Sequence, residues 1–316
     1  MKNKGVWSKF KKVLPIIGVA IFVYIILKLD LSKIIESIKE AKLIWLIISV
    51  LFLFVYFILQ TYKWFLIAKF QKIPVLFKEA LRINLITFLY GFITPSRVGS
   101  VLRADYLKKY AKNIGKGISN FVIEKVIDVA ALFSMAIVFG FAFRDKFSFD
   151  MSYLIIVFVV FVALSLIFIK KQRSKAFLKL FFRKFVPKKY KEEAKITFDS
   201  FYEDMPKKRY LFLVFLVTVL TWITNYTMVY FIGVSLGITL GIIPFMAILP
   251  LSTLIAQIPI TIAGLGTREA TMISLFGLFG VGAVKVFSMS LIGLVLGGVI
   301  PSIIAIFLIL KNKDKG

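Results

Sequence analysis

Residues 210–267 read YLFLVFLVTVLTWITNYTMVYFIGVSLGITLGIIPFMAILPLSTLIAQIPITIAGLGT, 58 positions without a single Asp, Glu, Lys or Arg. About 20 consecutive apolar residues match the hydrocarbon thickness of a bilayer, so this stretch holds more than one pass. Further charge-free runs occupy 13–27, 43–62, 129–143, 151–169 and 286–310. Hydrophobic residues make up 59% of the chain and the mean hydropathy is +0.90. These runs predict an all-α, polytopic membrane protein of about eight spans. A transmembrane β-barrel is excluded, because its strands alternate apolar and polar residues.

The chain carries 42 Lys/Arg against 16 Asp/Glu, a net charge of +26. Its distribution argues against nucleic acid as a partner. Lys2, Lys4, Lys9, Lys11 and Lys12 crowd the N-terminus, and Lys311, Lys313 and Lys315 the C-terminus. The longest polar stretch, 170–209, holds 14 basic and 5 acidic residues. Cytoplasmic loops carry such an excess, which predicts a multi-pass protein of the cell membrane with both termini cytoplasmic. The basic loop is also placed to touch anionic headgroups. Cysteine and histidine are absent, so disulfides, thiolate nucleophiles, haem ligands and imidazole bases are unavailable, and neither a metal nor a cofactor is expected. The N-terminal apolar run resembles the core of a signal peptide. The stretch Leu27-Lys28-Leu29-Asp30 makes a poor cleavage site, however, so a retained first span is expected.

Read in order, spans are expected at about 13–28, 43–66, 118–143, 151–169 and 210–233, with a short amphipathic turn at 30–42. The run 83–96 is only 14 residues long and has basic residues on both sides, which suits a re-entrant hairpin better than a crossing. Three final crossings, at 244–262, 267–284 and 286–310, reach the basic C-terminus. The middle pair equally suits a re-entrant hairpin. Trp45 and Trp64 read as interfacial belt residues. The chain reads as one domain over 1–316.

Two segments place helix breakers beside arginine. One runs from Ile93 to Arg103 and contains Pro95, Arg97 and Gly99. The other runs from Pro259 to Glu269 and contains Gly264, Gly266 and Arg268. Broken backbone and a guanidinium survive at membrane depth only when protein or a wet cavity surrounds them. Paired broken segments in the two halves of a chain point to a transporter's binding site, and the weak likeness of these two admits an inverted repeat. Guanidinium groups match phosphate oxygens two at a time, so Arg97, Arg103 and Arg268 are candidates to hold an anion. Arg97 and Arg103 also fit as residues snorkelling to the interface, and Arg268 with Glu269 as a local structural pair. Glu124 and Asp128 share a helix face and would repel unless one is protonated or cations flank them; Arg97, Arg103 and Arg268 are the candidate cations. Asn84, Asn225 and Gln257 read as interhelical hydrogen-bond groups before ligands.

At these residues the chain resembles a known family. Pro95-Ser96-Arg97-Val98-Gly99 with Arg103, Glu124-Lys125 with Asp128, and Gly264-Leu265-Gly266-Thr267-Arg268-Glu269 are similar to the hallmark patches of the flippase-like domain family, the membrane region of lysylphosphatidylglycerol synthases. Ser96 stands where that family often has Gly, and Ser100 where it often has Glu, so a role for that carboxylate does not carry over. The resemblance implies a helical bundle with re-entrant segments that moves polar lipids between leaflets. It implies a binding set of Arg97, Arg103, Glu124, Asp128, Arg268 and Glu269, with an anionic or phosphate-bearing lipid headgroup as partner. The synthases' soluble aminoacyl-transferase domain has no room in this chain, so synthesis is not expected of it. The other readings left open are an intramembrane enzyme acting on a lipid-linked phosphate, a small-anion transporter, and an accessory subunit.

Overall fold

The structure, a computed structural model, describes residues 18–94, 97–111, 113–147, 150–169, 171, 172, 174, 191–258, 261 and 264–313. Pro95, Ser96, Pro259, the N-terminal lysines and most of the basic stretch before Lys191 lie outside them. Among the described residues the chain is helical throughout. The first elements are α1 (Gly18–Leu29), α2 (Leu31–Lys39), α3 (Leu43–Phe70) and α4 (Phe77–Phe92). A 3-10 turn (Val98–Leu102) leads into α5 (Arg103–Ala111), and α6 (Ile114–Phe141) and α7 (Met151–Ile169) follow. Beyond them come α8 (Lys191–Phe201), α9 (Lys208–Ser235), α10 (Ile242–Ala256), α11 (Thr267–Gly277) and α12 (Ala283–Leu294). A π-helical turn (Val295–Val299) joins α12 to α13 (Ile300–Lys313).

Helix lengths decide which elements cross. The helices Leu43–Phe70, Lys208–Ser235 and Ala283–Lys311 are long and apolar enough to span. α6 matches the first two at 28 residues, about 42 Å at 1.5 Å per residue, and carries charge in its interior. α10 has 15 residues and α11 has 11, or about 22 and 17 Å. Each falls short of the ~30 Å hydrocarbon core, and the two pack against each other. They form one broken pair of short helices.

Several expected boundaries shift. The turn at 30–42 is the helix α2, capped by the Asp30 carboxylate, which accepts from the Ser32 N–H at 3.0 Å. α10 ends at Ala256, before the breaker, and holds Pro250 inside it. The run 286–310 is interrupted by the π turn, where the Ile300 N–H bonds the Val295 carbonyl five residues back.

α3 and α9 pack side by side, with α6 and α10 completing the core. Leu53, Tyr56 and Phe57 meet Tyr226, Met228 and Ile232, and Phe245 meets Phe276 with rings 4.8 Å apart. Lipid tails are as apolar as leucine, so helices associate here through close packing and hydrogen bonds. Asn84 accordingly donates to the Thr61 hydroxyl at 3.0 Å. Thr218, Thr221, Thr224 and Thr227 return their hydroxyls to carbonyls one turn back in α9.

At the end of the bundle where α3 finishes and α6 begins, Asp204 follows α8 and accepts from Lys72 and Lys116 at 2.8 and 2.9 Å. The Lys72 and Lys116 ammonium groups hold the Asp204 carboxyl below the usual aspartate range. A carboxyl depressed in the folded state stabilises above its ordinary pKa of about 3.9 and loses that contribution as pH falls through the lower folded value. Protection of the 191–201 amides against hydrogen exchange, relative to their intrinsic rates, is therefore expected to hold at pH 6 and to fall below about pH 4. Asp204→Asn should lower that protection already at pH 6.

A charged cavity at the helix breaks

α6 sets Glu124 and Asp128 one turn apart on a face turned into the protein, where they are 2% and 3% exposed. The cation between them comes from α3. Lys63 Nζ lies 2.5 Å from Asp128 Oδ1 and 3.2 Å from Glu124 Oε1. Arg103, the first residue of α5, pairs with Glu124 Oε2 and lays its guanidinium over the Trp64 ring, 4.7 Å from the centroid. Lys125 Nζ stands 3.8 Å from Asp128 Oδ2. Three cations thus surround two carboxylates, which satisfies the demand of buried like charges for compensation. Behind them Asn120 donates to the Trp64 carbonyl and the Gln71 side chain, and Gln71 donates to Ser119.

The first break is stitched by Thr94. Its hydroxyl accepts from the Gly99 N–H at 2.8 Å and its carbonyl from the Arg97 N–H at 3.2 Å. A side chain at Gly99 would collide with the Tyr90 carbonyl. Arg97 takes the left-handed conformation at φ 55, which costs a non-glycine residue about 1–2 kcal/mol and marks a constrained position. Its guanidinium stands 5.8 Å from the centroid of the Phe88 ring.

The second break turns on Gly266 at φ +83, pressed against the carbonyl of Gly18. Its N–H donates to Glu269 Oε2 at 2.6 Å. The other Glu269 oxygen accepts from Arg268 at 2.8 and 3.1 Å and from the Ser290 hydroxyl at 2.8 Å. Arg268 Nη2 also donates to Ser290 at 2.9 Å. With both oxygens engaged and 1% exposure, Glu269 orients Arg268 and has no oxygen left free for a ligand.

Both breaks open on one cavity of about 150 Å³, lined among others by Arg97, Lys125, Asp128, Arg268, Ser290 and Trp222. The sequence-derived candidates divide accordingly. Arg97, Asp128 and Arg268 line the cavity, whereas Arg103, Glu124 and Glu269 stand behind it in ion pairs. Arg97 and Arg268 do not flank the acidic pair among the described residues; Arg103 does, together with Lys63. Both carboxylates are buried in protein. Trp64, expected at an interface, is 0% exposed. Asn225 and Gln257 line the cavity, while Asn84 serves as interhelical glue.

Sequence reading missed Lys63 because counting an apolar run stops at its first charge. A signal was present. Leu53, Tyr56, Phe57, Trp64 and Ile67 recur at helical spacing on the buried side of α3, and Lys63 falls in the same stripe.

Removing one partner of a buried ion pair leaves a charge uncompensated, at a cost of about 3–5 kcal/mol. Lys63→Met is expected to destabilise the protein by that order, read as thermal unfolding in detergent. Pairing it with Asp128→Asn should recover part of the loss, whereas additive losses in the double variant would refute the coupling.

Comparison with known proteins agrees with this architecture. The family model described as Lysylphosphatidylglycerol synthase TM region matches residues 15–305. A UPF0104 membrane protein of Methanocaldococcus jannaschii is similar at 25% identity, covering 96% of both chains. A UPF0104 membrane protein of Pyrococcus horikoshii is similar at 21%, covering 96% of this chain and 97% of its own. The match over most of the length establishes that this membrane protein belongs to the family of the lysylphosphatidylglycerol synthase TM region.

Proposed function

We propose that the protein moves a phosphate-bearing membrane lipid between the leaflets of the cell membrane, with its termini on the cytoplasmic side and the headgroup passing through the cavity. The observation that carries this reading is the meeting of Arg97 and Arg268, from breaks in opposite halves of the chain, on one small cavity. Asp128 is the carboxylate that shares it, and Lys63 and Lys125 attend Asp128. The local balance therefore favours an anion.

Guanidinium groups bind phosphate oxygens in pairs, and a held guanidinium loses less freedom on binding than a loose one. Glu269 and Ser290 hold Arg268; the strained backbone holds Arg97. The Gly99 and Gly266 N–H groups at the breaks are answered by Thr94 and Glu269, as broken backbone in a membrane protein requires. The family takes its name from a synthase of a phospholipid, which supports lipid phosphate as the cargo. A free small anion is a second reading, favoured by the cavity's modest volume of about 150 Å³.

The test is reconstitution in vesicles with fluorescent phosphatidylglycerol, following its exposure to a quencher that cannot cross. Arg268→Ala is expected to slow exchange about tenfold or more, since a hydrogen bond to a charged group contributes roughly 1.5–3 kcal/mol. Arg268→Lys should be intermediate, and Arg144→Ala, on an exposed turn, unchanged. Exchange that is indifferent to Arg268, or absent from the wild type, would sink the lipid reading. Arg268-dependent uptake of free phosphate without lipid exchange would establish the second.

A further inference from the structure

The proposed function leaves open where the hydrocarbon part of the cargo goes. A cavity of about 150 Å³ is of the size that accepts a benzene-sized molecule. It takes a headgroup and not acyl chains. The chains must leave through a wall, and the wall must face lipid.

Resting on the reading of the cavity as a headgroup site, we propose that the acyl chains leave through a lateral portal between the C-terminal end of α4 and the π turn that joins α12 to α13. Phe92, the last residue of α4, lines the cavity together with Gly293, Gly297 and Gly298. The Phe92 ring lies so close on Gly298 that no side chain fits there. That ring and that bare backbone turn both belong to the cavity's lining. Just beyond it Ile93, Val295, Val299 and Ile300 are exposed to the surroundings of the bundle.

The turn itself is built to yield. Pro301 has no N–H to offer the Gly297 carbonyl, and the local spacing has widened, with the Ile300 N–H on the Val295 carbonyl. Such interruptions are where long helices bend and where π turns accompany function. Phe92 stacks on Phe88 at 6.2 Å, and Arg97 stands over the Phe88 ring. An aromatic ladder thus connects an anion-binding side chain to the portal. A lipid held at Arg97 and Arg268 places its chains beside Phe92, and rotation of that ring off Gly298 opens the cavity to the bilayer.

The experiment uses the full chain in vesicles containing phosphatidylglycerol with a photoreactive diazirine midway along one chain, and maps labelled peptides by mass spectrometry. Labelling of 92–93 and 295–300 is expected to exceed labelling of the equally exposed Leu213 and Leu216 on α9, and saturating glycerol 3-phosphate should remove that excess. In the leaflet-exchange assay Phe92→Ala should speed exchange about tenfold, the effect of lowering a barrier by about 1.4 kcal/mol. Gly298→Ala, whose methyl would force the ring off the turn, should speed it as well. Uniform labelling, or labelling centred on Ile255 and Ile258 instead, overturns the portal while Arg268-dependent glycerol 3-phosphate binding leaves the headgroup site standing. Absence of that binding in the wild type overturns both.

Discussion

The ammonium of Lys63, held between the carboxylates of Glu124 and Asp128, is the constraint on which the rest of the structure depends. Two acids one turn apart on a buried helix face repel strongly in a medium of low dielectric. A cation brought from another helix relieves most of that repulsion, standing closer to both acids than Lys125 of α6 does to Asp128. Its arrival ties α3 to α6, and the pairing of Arg103 with Glu124 draws in α5. Because an isolated buried charge is so costly, these three helices have one register in which all their charges are answered. The first break in the chain is held next to α6 for that reason.

The second break follows the same logic with different parts. Glu269 gathers the backbone N–H of Gly266, the Ser290 hydroxyl and the Arg268 guanidinium. A carboxylate in the first turn of a helix also suits the helix dipole. In each half, therefore, a buried acid fixes an arginine, but to different ends. Arg103 is consumed by its pair with Glu124. Arg268 is only steadied by Glu269, and keeps a quarter of its side chain exposed, on the cavity side.

What makes the cavity a candidate for phosphate is the asymmetry between charge that is spent and charge that is offered. Lys63 and Arg103 are nearly inaccessible and neutralise the acids. Arg97 and Arg268 line the open space, and neither is paired with Glu124 or Asp128 among the described residues. A headgroup entering such a space meets an Arg268 guanidinium already oriented by Glu269 and Ser290.

Membrane residence, the all-helical class and the breaks near Arg97 and Arg268 were determined by the sequence itself, because a bilayer demands runs of about 20 apolar residues and tolerates few exceptions. The exceptions are consequently conspicuous in one dimension. The hallmark patches were legible for the same reason. Which charges answer which was not, since Lys63 and Asp128 are 65 positions apart and meet only when α3 and α6 pack. The division of six candidates into three that line the cavity and three that support it was likewise decided by packing, as were the short α10–α11 pair and the π turn before Pro301. Hydrophobic counting records how much of a segment is apolar. It carries no information on which face of a helix meets which neighbour, and in this protein that choice makes the site.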